Sequence, residues 1–179
     1  MNNIVQRTLS GIVFVAAIIG ALLGGPLSFF LLFSFLTAWA VYEFYSLAEV
    51  DGAAINKPAG IAGGTILFVL LFLTAGDYLP SSALWGLPLL PLIIGAAEMY
   101  RHKQQPVKNM AYTLAGLIYP ALMLALISYL YFLPDAETPR HSGIALALFV
   151  MIWTHDTFAY LVGKNLGRNL LYPEISPKK

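Results

Sequence analysis

Six apolar runs, each bounded by charges, glycine or proline, dominate this 179-residue sequence, at about 8–23, 27–47, 60–75, 83–100, 110–133 and 143–161. A hydrocarbon core of about 30 Å is crossed by about 20 apolar residues rising about 1.5 Å each. The runs therefore predict an all-α, polytopic membrane helix bundle of about six transmembrane helices. Gly24-Gly25-Pro26 between the first two leaves room only for a tight helical hairpin. The third and fourth runs are short and rich in glycine or proline, which predicts tilted or broken helices. The organisation expected is a three-helix region over 1–80 followed by a second over 81–179.

Composition agrees with lipid as the native solvent. Hydrophobic residues make up 59% of the chain and charged residues 11%, against about 45–50% and about 25% in soluble domains. So few charges cannot keep a globular surface wetted, which excludes a soluble domain, a disordered chain and a nucleic-acid binder. With no cysteine, disulfides, thiolate metal sites and cysteine nucleophiles are excluded as well. A cleaved leader is the rival reading of Arg7 and the first run, but the second run starts too soon after it to leave a mature N-terminus.

The cations orient the bundle. With the N-terminus cytoplasmic, Arg7, Lys57, Arg101, Lys103, Lys108, Lys164, Arg168, Lys178 and Lys179 fall inside and Arg140 alone outside. This positive-inside asymmetry requires an even number of crossings and places both termini in the cytoplasm. Arg101, His102, Lys103 and Lys108 then hold the fourth and fifth helices at an anionic leaflet, attraction of an anionic lipid being the alternative. Trp39, Trp85 and Trp153 are expected at interfaces or in packing.

Three acids lie in or beside apolar runs. Glu43 and Glu98 fall about a turn from the ends of their helices, where a carboxylate is expected to reach headgroup water. Asp156 lies deeper, where an unpaired carboxylate costs a few kcal/mol on an insertion scale of about 2.5–3.5. It needs a metal ion, a cation or a polar cavity. Asp156, Tyr160, Gly163 and Gly167 recur at i, i+4, i+7 and i+11, one helical face. Glycines let a phosphate approach the backbone, Lys164 and Arg168 neutralise it, and an aspartate is a hard ligand suited to Mg²⁺. The same face also fits helix packing through glycines with a buried, paired Asp156, and spacing leaves both open. His155 points about 100° away, so it need not share the Asp156 site, and a satisfied interior histidine is expected ahead of a metal ligand or catalytic base.

Asp156-x-x-Ala159-Tyr160-x-x-Gly163-Lys164-x-x-Gly167-Arg168, followed by Ile175-Ser176-Pro177-Lys178-Lys179, resembles the motif of the phosphatidate cytidylyltransferases. Gln6-Arg7 before the first hairpin and Gly116-x-x-Tyr119 resemble the family more faintly, and Pro120 departs from it. The resemblance implies an enzyme that transfers a cytidylyl group from CTP to phosphatidic acid, giving CDP-diacylglycerol and pyrophosphate. It implies Asp156 as a metal ligand for Mg²⁺ and Lys164, Arg168, Lys178 and Lys179 as phosphate contacts. Ser176 would donate a hydrogen bond to phosphate, Gly163 and Gly167 would admit it to the backbone, and Tyr160 would orient the site or contact the lipid head. It further implies a homodimer in the bacterial cytoplasmic membrane with its active face cytoplasmic. Family members continue past the Ser-Pro-Lys-Lys segment into further helices and a second acidic cluster, so the expectation is a truncated form with little activity alone. The competing classes are a transporter segment or lipid-binding bundle with Asp156 on a cation, and a cytidylyltransferase for another lipid phosphate.

Overall fold

In the computed structural model, which describes residues 3–133 and 142–166, the apolar runs become helices α1 (Asn3–Leu23), α2 (Pro26–Val50), α3 (Lys57–Ala75), α4 (Leu89–Tyr100), α5 (Pro106–Gly116), α6 (Met123–Phe132) and α7 (Gly143–Leu166). Local chemistry sets several of the boundaries. Gly25, at φ 109°, turns the chain between α1 and α2, and Pro26 starts α2 where its missing N–H costs nothing. The Asn56 side chain accepts from the Ala59 N–H to cap α3. Pro106 opens α5 in the same manner as Pro26.

Two predicted spans are interrupted. The fourth divides into a 3₁₀ turn, Ser81–Gly86, and α4, because Gly86 and Pro88 break the ladder between them. In the fifth, α5 and α6 are joined by a π-helical segment, Leu117–Leu122, that contains Pro120. A proline has no N–H for the helical ladder, and the wider turn absorbs the missing bond. Other spans run longer than predicted: α2 extends to Val50 and α7 to Leu166. Five stretches are long and apolar enough to cross a bilayer, Pro26–Val50, Lys57–Ala75, Ser81–Tyr100, Pro106–Phe132 and Gly143–Lys164, and the shorter Thr8–Leu23 makes the sixth. The chain is an integral membrane helix bundle.

α3 lies at the centre, packed between α2, the π segment and α6. The core is aromatic: Phe29 stacks on Phe33 and on Tyr131 with ring centroids 4.3 Å apart in each pair, and Phe68 and Phe72 close it from α3. Nearer the Lys57 end, the fully buried Tyr45 is wedged between two glycines. A Cβ at Gly60 of α3 or Gly116 of α5 would collide with its ring, so both helices can approach α2 only because these positions lack side chains. The Tyr45 hydroxyl donates to the Thr113 carbonyl at 2.9 Å, where the helical ladder loosens towards the π segment.

Candidate functional site

α7 holds the predicted site residues that fall within the described part. It leans on the bundle through its first half, with Phe149 5.9 Å from Phe33 between ring centroids and Trp153 half-buried. Beyond Trp153 every residue from 154 to 164 is exposed. The helix is continuous to Leu166, so Asp156, Tyr160 and Gly163 do share one face, and nothing in the described chain packs on it. Lys164 folds back so that its Nζ lies 5.9 Å from the Tyr160 ring centroid, a cation–π distance that holds the ammonium beside the phenol. A Cβ at Gly163 would meet nothing within 4 Å, so the glycine does not serve packing within these residues. Gly167, Arg168, Ser176, Lys178 and Lys179 lie outside the described residues.

Two expectations are corrected here. His155 is not an interior residue: its side chain is 82% exposed, and its Nδ1 lies 3.5 Å from Oδ1 of Asp156, itself 74% exposed. Adjacent side chains on a helix diverge at the backbone, but an imidazole is long enough to lean back. Glu98 does not reach headgroup water. It is 4% exposed, with Oε2 bound by Arg101 at 2.6 Å and Oε1 by Asn109 Nδ2 at 2.8 Å.

That contact belongs to a polar network at the Lys57 end which no motif announced. Asn109, fully buried, also donates to the Gln104 carbonyl and accepts from the Ala54 N–H. Arg101 donates to the Ala54 carbonyl as well. Lys108 pairs with Asp51 at 2.9 Å and Lys57 with Glu49 at 2.7 Å. Tyr112 donates to Asp51 Oδ2 at 2.7 Å; that hydrogen bond, followed by those of Lys108, holds the Asp51 carboxyl below the usual aspartate range. The network clamps the turn after α2 onto the start of α5. Its one legible signal was Asn109, a polar residue just before the predicted start of the fifth run. Arg101, Lys108 and Lys57, assigned in sequence to topology, are each neutralised by a carboxylate and so contribute little free positive charge.

The α7 face thus offers an open carboxylate, a phenol and an ammonium without an acidic partner among the described residues, next to a backbone edge bare of side chain. Such a set accepts a hard cation on one side and a phosphate on the other. No three His, Asp or Glu side chains gather as a metal cage among the described residues. Residues 5–179 match the model of the cytidylyltransferase family. The chain belongs to that family. It is 27% identical to a phosphatidate cytidylyltransferase of Haemophilus influenzae, the alignment covering 97% of this chain and 65% of the relative. It is 28% identical to one of Staphylococcus epidermidis, covering 97% and 63%. A third, from Aquifex aeolicus, is 36% identical over 51% of this chain and 33% of the relative. The chain therefore spans a little under two thirds of the full-coverage relatives it matches. No solved structure matches it.

Proposed function

We propose that the protein carrying this chain transfers the cytidylyl group of CTP to phosphatidic acid, forming CDP-diacylglycerol and releasing pyrophosphate for phospholipid synthesis. The observation that carries the reading is the open face of α7, where Asp156, Tyr160, Gly163 and Lys164, the residues that resemble the family motif, are covered by nothing in the described chain. In the reaction a phosphate oxygen of the lipid attacks the α-phosphorus of CTP, and the bond to the β-phosphate oxygen breaks. Two polyanions must meet, so the protein's work is positioning and charge neutralisation.

This chain's residues divide that work. Asp156 offers a carboxylate to Mg²⁺, which normally takes one or two carboxylates with phosphate oxygens and water, and the bound ion would screen the charge of the reacting phosphates. Lys164, held by Tyr160, meets a phosphate beside the bare backbone of Gly163. Gly167, Arg168, Ser176, Lys178 and Lys179 extend the same role to residues beyond the described helix, as hydrogen-bond donors and cations. Tyr160 orients Lys164 and borders the lipid head. The active face is cytoplasmic, in the bacterial inner membrane, supported by the nine-to-one distribution of Lys and Arg. The homodimer implied by the motif resemblance is consistent with how little of α7 is covered.

The test is labelled CTP with phosphatidic acid and Mg²⁺, supplied to the full-length protein in bilayers. A CDP-lipid is expected. If several phosphatidic acids yield none while another lipid phosphate does, the substrate assignment is wrong. If none reacts, so is the activity.

A further inference from the structure

Thr154-His155-Asp156-Thr157 is a turn of polar residues set into the apolar span Gly143–Lys164. Thr157 is satisfied within the helix, its hydroxyl donating to the Trp153 carbonyl at 2.7 Å. His155 and Asp156 are not. Ionisable groups inside a membrane span mark functional sites because each needs a polar partner, and the ionic contact that each makes among the described residues is with the other. The exposure of His155 also removes the simplest alternative, an imidazole satisfied in the protein interior.

The spacing of the pair narrows its role. His155 Nδ1 and Asp156 Oδ1 are 3.5 Å apart, beyond the range of about 2.7–3.2 Å for an N–H···O hydrogen bond. Two donor atoms on one divalent ion, at bond lengths of about 2.0–2.2 Å and angles between octahedral and tetrahedral, stand about 3.0–3.4 Å apart. The two side chains therefore take an ion between them with almost no rearrangement.

We propose that His155 is a second protein ligand beside Asp156, so that the α7 site prefers a divalent transition cation that accepts imidazole nitrogen, in the series from Mn²⁺ to Zn²⁺, over Mg²⁺. This rests on the reading of Asp156 as a metal ligand given above and goes beyond it in both ligand and metal. Imidazole nitrogen suits first-row transition ions, whereas Mg²⁺ takes oxygen. Two ligands from one turn leave most coordination positions to phosphate oxygens and water, in keeping with the lack of a third His, Asp or Glu nearby among the described residues. A neutral imidazole also leaves the site less negative than a second carboxylate would, which favours the approach of two polyanions.

The test follows Mn²⁺ bound to the full-length protein in phosphatidylcholine bilayers by pulsed electron paramagnetic resonance, with pyrophosphate added as an anion that supplies oxygen and no nitrogen. Coupling of the bound ion to nitrogen-14 is expected, and it should vanish in His155→Ala. Losing the partner of a ligand already costs about 10–100-fold in metal affinity, so His155→Ala should weaken Mn²⁺ binding at least about tenfold. Mg²⁺ binding, read by competition, should change several-fold less. An exposed side chain lets the variant keep the parent's melting temperature. No saturable Mn²⁺ binding, bound Mn²⁺ without nitrogen coupling, coupling that persists in His155→Ala, or equal losses for Mn²⁺ and Mg²⁺ would each overturn the proposal. If Asp156→Asn abolishes binding in those cases where Mn²⁺ binds, the Asp156 reading survives the failure; binding indifferent to Asp156→Asn would overturn both.

Discussion

Glu98 and Asp156 are both acids on apolar helices, yet Glu98 is 4% exposed and bound by Arg101 and Asn109, while the Asp156 side chain is 74% exposed and has only His155 beside it among the described residues. Their helices differ less than their neighbours. α4 meets α5 across a short turn, so partners for Glu98 come from the adjoining segment. The second half of α7 meets nothing in the described chain, and over the helix as a whole only 6% of the apolar stretch is buried, against 39% for α3. A saturated carboxylate fixes a turn; an unsaturated one keeps its oxygens for something that arrives from outside. The contrast makes stability the expected role of the Glu98 network and sets it against the chemistry proposed above for the Asp156 face.

The sharpest way to break this contrast is to neutralise each acid. Asp156→Asn in the full-length protein should lower CDP-lipid formation about a hundredfold or more, the scale of losing one electrostatic group aimed at the reacting centre, with the melting temperature unchanged. A stability loss with activity retained would show that the α7 face is structural. Asn109→Ala should act in the opposite sense. It strips Glu98 of a donor and leaves the Ala54 N–H and the Gln104 carbonyl without their partner. A cost of about 2–4 kcal/mol follows from leaving the buried Glu98 carboxylate short of a donor next to two part-buried backbone groups, read by equilibrium unfolding in mixed micelles. The Michaelis constants for CTP and lipid should stay near those of the parent among molecules that remain folded.

The two regions also differ in how far the sequence disclosed them. Asp156, Tyr160 and Gly163 share a face because helical spacing is a local property, and the apolar runs marked the spans for the same reason. Glu98 illustrates the limit. Its distance from the helix end implied access to water, but burial depends on the turn at 51–56 folding over it, and that turn is held by Asn109, Arg101 and Lys108 across segments more than forty residues apart in sequence. Lys108 and Lys57 likewise looked like free charge because their carboxylate partners, Asp51 and Glu49, lie at the end of a different helix. Tyr45 between Gly60 and Gly116 was invisible for the same reason: its two glycines belong to other helices, and neither names what approaches it.

That wedge gives a smaller test of the stabilising half of the comparison. Gly116→Ala puts a methyl against the Tyr45 ring and should cost about 1–3 kcal/mol through overpacking. Tyr45→Phe keeps the ring and removes only the bond to Thr113, about 1 kcal/mol. If Gly116→Ala proves neutral, α5 is freer to shift than the wedge implies.

The smallest effect belongs to the rim of the network. Asp51 is held below its ordinary pKa by Tyr112 and Lys108, so in the folded protein it stays ionised to lower pH than in the unfolded chain. Its contribution is fully present above the unfolded pKa and is lost as pH falls through the folded value. Acidification below about pH 4, the usual aspartate range, should therefore loosen the turn after α2 first, raising hydrogen exchange at Ala53 and Ala54 before α3 responds. Asp51→Asn should flatten that acid dependence while leaving Asn109 to hold Ala54. Exchange that rises equally in both proteins would assign the acid response to another group, and the turn would then depend on Asn109, Arg101 and the Lys108 bond to the Asp51 carbonyl.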